Sequence, residues 1–342
     1  MKLDIIARDG SPLGVTLHTV NGSDPAQIGV GGAELAILTL CEGWAKAGHD
    51  VRFYNSPRMP SDSEFAQLPV DSFNPAEDRD VLIVFRSPNP KAIGAKGKKI
   101  WFSTDQYTID SFAAFAPQVD KIVTISGFHQ NYFSHTYNIN NAITIDLPVR
   151  VEEYKQDIKK ESARCLFSSV PDRGLMPLIE MWPEILVRVS TATLVVTSDY
   201  RLWGCGSALN EQYVARLIGM PNVQMVGAVN RERLVQEQLK AQVLLYPCLY
   251  DELFCISVAE AQVAGAWPIT TSRGAIETTN MGTQIPGDVN DPQWREKFIR
   301  TFTEIINSPD LAQKQQEIRA KAMERFSVDR IMKEWETKIF NG

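Results

Sequence analysis

Short apolar runs alternate along the whole chain with stretches whose apolar positions recur at helical spacing. That is the pattern of parallel strands buried on both faces and joined by helices. In the first 150 residues it predicts strands at Leu3–Ala7, Val51–Tyr54, Val81–Phe85, Ile100–Ser103 and Lys121–Ile125. A long helix from Ala33 to Ala47 opens after Gly31-Gly32 and stops at Gly48. The apolar run Ile143–Val149 closes this half, and residues 151–163 are highly charged with few apolar positions, the composition of a linker. Alternation then restarts with strand Cys165–Ser169, helix Leu175–Val189, strand Thr193–Thr197, helix Asn210–Ile218, strand Val223–Val226, helix Arg231–Lys240 and strand Val243–Tyr246. A small-residue helix from Ile256 to Ala264, strand Trp267–Thr270 and three C-terminal helical stretches follow. The economical reading is two α/β domains, 1–150 and 164–326, with a last helix in 327–342 packing back toward the first.

Composition narrows the function. The 342 residues carry 35 basic and 41 acidic side chains, a net charge of −6, spread evenly over both halves. Neither half has the basic excess that tracking a nucleic-acid backbone requires. Lys91, Lys96, Lys98 and Lys99 form one local cluster, which reads as a solvated loop. The five cysteines are odd in number, widely spread and without a Cys-x2-Cys pair, so reduced thiols in a cytoplasmic protein are expected. The charged N-terminus runs directly into a strand, unlike a signal peptide, and no apolar run reaches membrane-spanning length. Any membrane contact is then peripheral.

The chemistry-bearing residues cluster near strand ends. Glu252 follows the buried run Val243–Pro247, and Glu260 stands beyond it inside the small-residue helix, with seven residues between the two acids. Both fall at the carboxyl edge of a parallel sheet, where open α/β folds bind ligands. Ionised carboxylates there suit a polyhydroxylated ligand, since they accept charge-assisted hydrogen bonds from hydroxyls. Asp172-Arg173-Gly174 follows the first strand of the second half, where an arginine's planar fork can hold a diphosphate. Gly29-Val30-Gly31-Gly32-Ala33-Glu34 opens the first long helix, where free amides and the helix dipole favour a phosphate. It lacks the third glycine of a dinucleotide fingerprint. Asp78-Arg79-Asp80 matches a metal-holding Asp-x-Asp pattern but leads into a strand rather than leaving one, so it reads as a turn. His18, His49, His129 and His135 show no metal or triad spacing, and Ser126 reads as a helix cap.

The segment from Tyr250 to Gly265 resembles the Glu-x7-Glu donor signature of GT-B glycosyltransferases, most closely glycosyltransferase family 4. Trp267–Thr271, Gly274-Ala275-Ile276-Glu277, Gly31-Gly32-Ala33-Glu34 and Gly48-His49-Asp50-Val51 extend the likeness. The resemblance implies a GT-B fold, two Rossmann-like domains with parallel sheets facing across a cleft. It implies a retaining, hexosyltransferase-type enzyme that needs no cofactor and no metal. The donor would be a UDP-, GDP- or ADP-sugar, and the acceptor a hydroxyl of a glycan, a lipid-linked glycan or a small molecule. Carried over by position, Glu260 would accept from the donor ribose and Glu252 from the moving sugar, beside Leu253, Phe254 and Cys255. Arg173 would neutralise the diphosphate, and Gly31 and Gly32 would let backbone approach it. Asp105-Gln106 falls where many relatives place a histidine near the sugar, a further departure, which makes Asp105 a candidate sugar or acceptor contact.

Three departures stand out: Ser168-Ser169 in place of a glycine-containing stretch, no second basic residue just upstream of Arg173, and Leu253 and Cys255 at places often held by glycine. Acceptor specificity is expected in the loops Ser11–Ile28 and Ser56–Asp78. Two other functions use the same residues: a nucleotide-sugar epimerase of this fold, which needs no acceptor, and a noncatalytic nucleotide-sugar-binding module. A glycosidase would set two carboxylates about 5–5.5 Å or 6.5–9.5 Å apart around the bond, with no use for a diphosphate-holding arginine.

Overall fold

The computed structural model describes residues 1–7, 29–55, 64–203 and 205–342. The loop Ser11–Ile28, residues 56–63 of the second expected acceptor loop, and His18 lie outside them. The chain forms two units. One contains residues 1–7, Val30–Pro148 and Ser327–Gly342, and the other contains Val149–Phe326.

In the first unit seven parallel strands run in the order β3-β2-β1-β4-β5-β6-β7. They are β1 (Lys2–Ala7), β2 (Asp50–Tyr54), β3 (Ala66–Leu68), β4 (Val81–Phe85), β5 (Lys98–Phe102), β6 (Lys121–Thr124) and β7 (Ala142–Thr144). All five residues of β4 are buried, as a central strand covered on both faces demands. Asp4, in β1, is fully buried yet ionic: Arg52 and Arg79 donate to its two oxygens at 2.7–2.9 Å. Arg79 also donates to the carbonyls of Asn74, Pro75 and Lys96, so Asp78-Arg79-Asp80 is a turn locked by its own arginine. The lysine cluster is engaged locally. Lys91 pairs with Asp71, Lys96 with Asp78, and Lys98 donates to the carbonyls of Ile339 and Gly342.

The helix Val328–Trp335 completes this unit by packing on the helix Gly32–Lys46. A Cβ on Gly43 would run into Met332 Sδ, so the two helices approach closely there. Trp335 meets Trp44 and Phe102 edge-on, with ring centroids 5.3 and 5.2 Å away. Such aromatic pairs add to the area that burial removes from water.

The second unit repeats the architecture with six parallel strands ordered β10-β9-β8-β11-β12-β13. These are β8 (Arg164–Phe167), β9 (Thr193–Val196), β10 (Val223–Met225), β11 (Val243–Tyr246), β12 (Trp267–Thr271) and β13 (Thr283–Ile285). The segment read as a linker belongs to this unit and is anchored in it. Val151–Tyr154 forms a helical turn, Tyr154 is fully buried, and its hydroxyl donates to Gln238 Oε1 at 2.6 Å. Val149 donates to the Phe326 carbonyl at 2.8 Å, tying together the two passages of chain that bound the unit. Three-residue strands β3, β10 and β13 lie at or beside sheet edges, and β3 falls within the expected loop Ser56–Asp78. Among the described residues no helix is long and apolar enough to cross a membrane.

Trp335→Ala should destabilise the first unit by about 3–5 kcal/mol, the usual cost of deleting a buried aromatic ring. Urea denaturation measures it, and an unchanged midpoint would contradict the packing described.

Candidate functional site

In each unit the strand order reverses beside its first strand, between β1 and β4 and between β8 and β11. Ligands of open parallel sheets bind beyond the carboxyl ends of strands at such a reversal. The two loops leaving β8 and β11 carry Arg173 and Glu252.

After β8 the chain makes a single turn, Pro171–Arg173, and enters the helix Leu175–Arg188 at Gly174. Gly174 has φ +126°, and a Cβ there would collide with the Pro247 carbonyl. The loop after β11 therefore closes directly over the helix start. The same loop is fixed from its other side, where Glu252 forms an isolated bridge with Gly274 and its carbonyl accepts from the Ala275 amide at 2.7 Å. Gly274, at φ +56°, also has no room for a Cβ against Glu252.

These constraints bring Glu252 and Arg173 together. Arg173 Nη1 lies 2.5 Å from Glu252 Oε2, and Tyr246 donates to Oε1 at 2.6 Å. Burial works against the Arg173 charge, but the Glu252 carboxylate outweighs it and holds the guanidinium pKa well above its ordinary value. Burial, with Glu252 beside it, pushes the Cys248 thiol to about 12 and raises Cys255 well above the thiol range. Neither sulfur is a thiolate at neutral pH, so neither is a ready nucleophile. Leu253 and Phe254 are buried, and their amides find no acceptor among the described residues. Cys255 sits at φ +72° immediately before the helix Ile256–Val263.

Glu260, on that helix, is 4% exposed and belongs to a neighbouring network rather than to the Arg173 pair. Arg231 Nη1 donates to its Oε1 at 2.5 Å and Gln238 Nε2 to its Oε2 at 3.0 Å. Arg231 also reaches Glu153 at 2.7 Å and the Tyr154 hydroxyl at 2.9 Å. Lys160 buttresses this network, donating to the carbonyls of Ala264 at 2.8 Å and Gln238 at 3.4 Å. At the far end of the sheet edge, Asp199 accepts from Arg201, Asn210 and the Ala228 amide. Burial opposes its charge, but these donors lower its pKa to about 2 and pin the turn Tyr200–Trp203.

The first unit has its own ionic cluster at the corresponding place. Gly31 precedes the helix Gly32–Lys46 in ordinary extended backbone, and Glu34 lies in the first helical turn. Arg86, directly after β4, adopts a left-handed φ of +66°. Its guanidinium donates to Glu34 at 2.9 Å and to both oxygens of Asp105 at 2.6 and 3.3 Å. Trp101 Nε1 donates to the Arg86 carbonyl at 3.0 Å and holds that strained residue. His129 Nε2 lies 3.2 Å from the Asp105 carbonyl, and burial takes this imidazole down to about 3, so it is neutral. Ser126 caps its helix by accepting from the His129 amide at 3.0 Å.

The sequence reading thus identified Glu252, Arg173, Glu260 and Asp105 but passed over Arg86, Arg231, Gln238 and Tyr246. Arg86 had a signal, a charged residue directly after a five-residue apolar run. Arg231 had none, because it lies 29 residues from its partner on a helix that looks ordinary. Among the described residues no three His, Cys, Asp or Glu side chains gather as a metal-binding group.

Residues 192–323 match the family model for glycosyl transferases group 1, a span that holds Glu252, Glu260 and Arg231. No curated protein sequence matches the chain significantly. Solved structures match over the full length. A glycosyltransferase from Rickettsia africae aligns with a TM-score of 0.72 at 14% identity, covering 99% of this chain and 98% of its own. Sucrose-phosphate synthase from Thermosynechococcus elongatus gives 0.73 at 13%, covering 100% of both chains. Anabaena HepE, solved in complex with UDP-glucose, gives 0.68 at 14%, again over 100% of both. At these identities the likeness establishes the fold, which is GT-B.

Burial, with Arg319 nearby, lowers the Lys160 pKa to about 7. Below that pH both folded and unfolded chains are protonated there, and between about 7 and 10.4 only the unfolded chain binds the proton. Stability should therefore rise with pH across that window. Lys160→Met should flatten the rise in pH-dependent urea melts; an identical slope in the variant would refute the assignment.

Proposed function

We infer that the chain transfers a sugar from a nucleotide-diphosphate donor to an acceptor hydroxyl, with retention of anomeric configuration and without a metal. The observation that carries this reading is the Arg173–Glu252 pair, fixed at the strand reversal of the second unit beside the start of the helix Leu175–Arg188. The match of residues 192–323 to glycosyl transferases group 1 and the UDP-glucose complex of a structural neighbour support it.

In this reading Arg173 and the free amides at the helix start receive the diphosphate, since an anion is favoured at a helix N-terminus. As the bond to the sugar breaks, negative charge grows on the departing diphosphate, and these preorganised donors stabilise it. Glu252 accepts from hydroxyls of the moving sugar, beside the amides of Leu253 and Phe254. Glu260 accepts from the donor ribose with its remaining lone pairs, its orientation set by Arg231 and Gln238. The acceptor hydroxyl attacks from the side of the leaving group, and a diphosphate oxygen takes its proton. No side chain serves as nucleophile: Cys248 and Cys255 remain protonated. In the first unit, Asp105, oriented by Arg86, is the candidate for an acceptor contact.

A calorimetric panel of UDP-, GDP- and ADP-sugars should identify one bound donor. Arg173→Lys keeps charge but loses the fork and should lower kcat/KM by about 10²-fold or more. Glu260→Gln should weaken donor binding about 10-fold or more, as loss of a charge-assisted bond does. The NMR-assigned product should keep the donor's anomeric configuration, and EDTA should leave the rate unchanged. Unaltered donor affinity in Glu260→Gln, or product formed from donor alone as an epimerase would give, defeats this reading.

A further inference from the structure

We propose that Trp203 and Tyr250 are positioning residues that hold the Arg173 guanidinium for the diphosphate, compensating for the absence of a second basic residue in its loop. The proposal rests on the donor-binding reading above. Arg173 Cζ lies over both rings, 5.3 Å from the Trp203 centroid and 5.0 Å from that of Tyr250. A cation over an aromatic face is attracted by the ring quadrupole, and arginine is the commonest partner. Both rings nonetheless stay half exposed, at 43% and 45%, where burial alone would not keep them.

Each ring is held independently. Tyr250 donates its hydroxyl to Asp172 Oδ2 at 3.0 Å, next to the arginine it covers. Trp203 ends the turn Tyr200–Trp203, which is anchored at its start by Asp199 and by the Tyr200 amide donating to Asn210 Oδ1 at 3.1 Å. Two anchored rings thus approach one guanidinium from two different loops. With its faces covered, the guanidinium meets anions through its in-plane N–H groups, as Nη1 does with Glu252. An arginine free to rotate would lose most of the bidentate advantage that separates it from lysine. The rings restrict that rotation and keep water off the charge, which strengthens its pull on an incoming diphosphate.

The test uses the full-length protein with UDP and UMP, and the GDP/GMP and ADP/AMP pairs in parallel, by calorimetry. Trp203→Leu should weaken the preferred diphosphate about 5- to 30-fold while changing its monophosphate by under about twofold. Trp203→Phe and Tyr250→Phe keep the rings and should retain most of the affinity, whereas Tyr250→Leu should not. In an Arg173→Lys background the Trp203→Leu effect should largely vanish, because coupled residues are non-additive. Thermal melts confirm that each variant folds. If the unaltered protein binds none of the three diphosphates, the donor-binding reading itself fails. If it binds one, but Trp203→Leu leaves affinity unchanged, weakens both nucleotides equally, or acts additively with Arg173→Lys, the clamp is overturned and the reading stands.

Discussion

A buried carboxylate beside a guanidinium at the edge of a parallel sheet sets the terms for the rest of the second unit. Taking both charges from water is costly, and only close pairing with further hydrogen bonds offsets it. Glu252 meets that requirement through Arg173 on one oxygen and the Tyr246 hydroxyl on the other. The pairing in turn dictates backbone. The loop after β11 must cross the helix start at Gly174 and the loop after β12 at Gly274, and at both points a side chain would strike main-chain atoms. Two glycines far apart in sequence are therefore conditions of one ion pair.

The two units share a strand order but dispose their charges differently. Arg173 faces one carboxylate, so the pair is neutral, and among the described residues its buried Nε has no partner. Arg86 is engaged by Glu34 and Asp105 together, two carboxylates on one guanidinium. The sheet order is common to both units, so what distinguishes their strand-end loops is the arrangement of charged side chains.

Much of the fold was legible because parallel central strands are continuous apolar runs. Val81–Phe85 and Val243–Tyr246 stand where the pattern put them, and so does the helix Arg231–Lys240. The edge strands β3 and β13 were not legible, whereas β10, equally short, was, because its run continues to Val226. The charged segment 151–163 looked like a linker because its buried side chains, Tyr154 and Ala163, are few among charges. At the site, residue type and spacing pointed to Glu252, Glu260 and Arg173. The partners of Glu260 were hidden because both come from another helix, Arg231–Lys240, and are themselves held by the turn Val151–Tyr154. Spacing can mark a carboxylate, but which cation faces it is settled by tertiary packing.

The departures from the family pattern acquire physical roles in the fold. Ser169, in the stretch where a glycine was expected, places its hydroxyl 3.2 Å from that of Tyr246, which itself donates to Glu252. The serine thus lengthens the hydrogen-bonded chain behind the carboxylate instead of freeing backbone for a ligand. Cys255 holds a left-handed conformation that glycine adopts freely, at a cost of roughly 1–2 kcal/mol for a residue with a Cβ. Its sulfur is buried and protonated, so it fills space beside Glu252 without adding charge. Both changes trade backbone freedom for a tighter setting around one carboxylate.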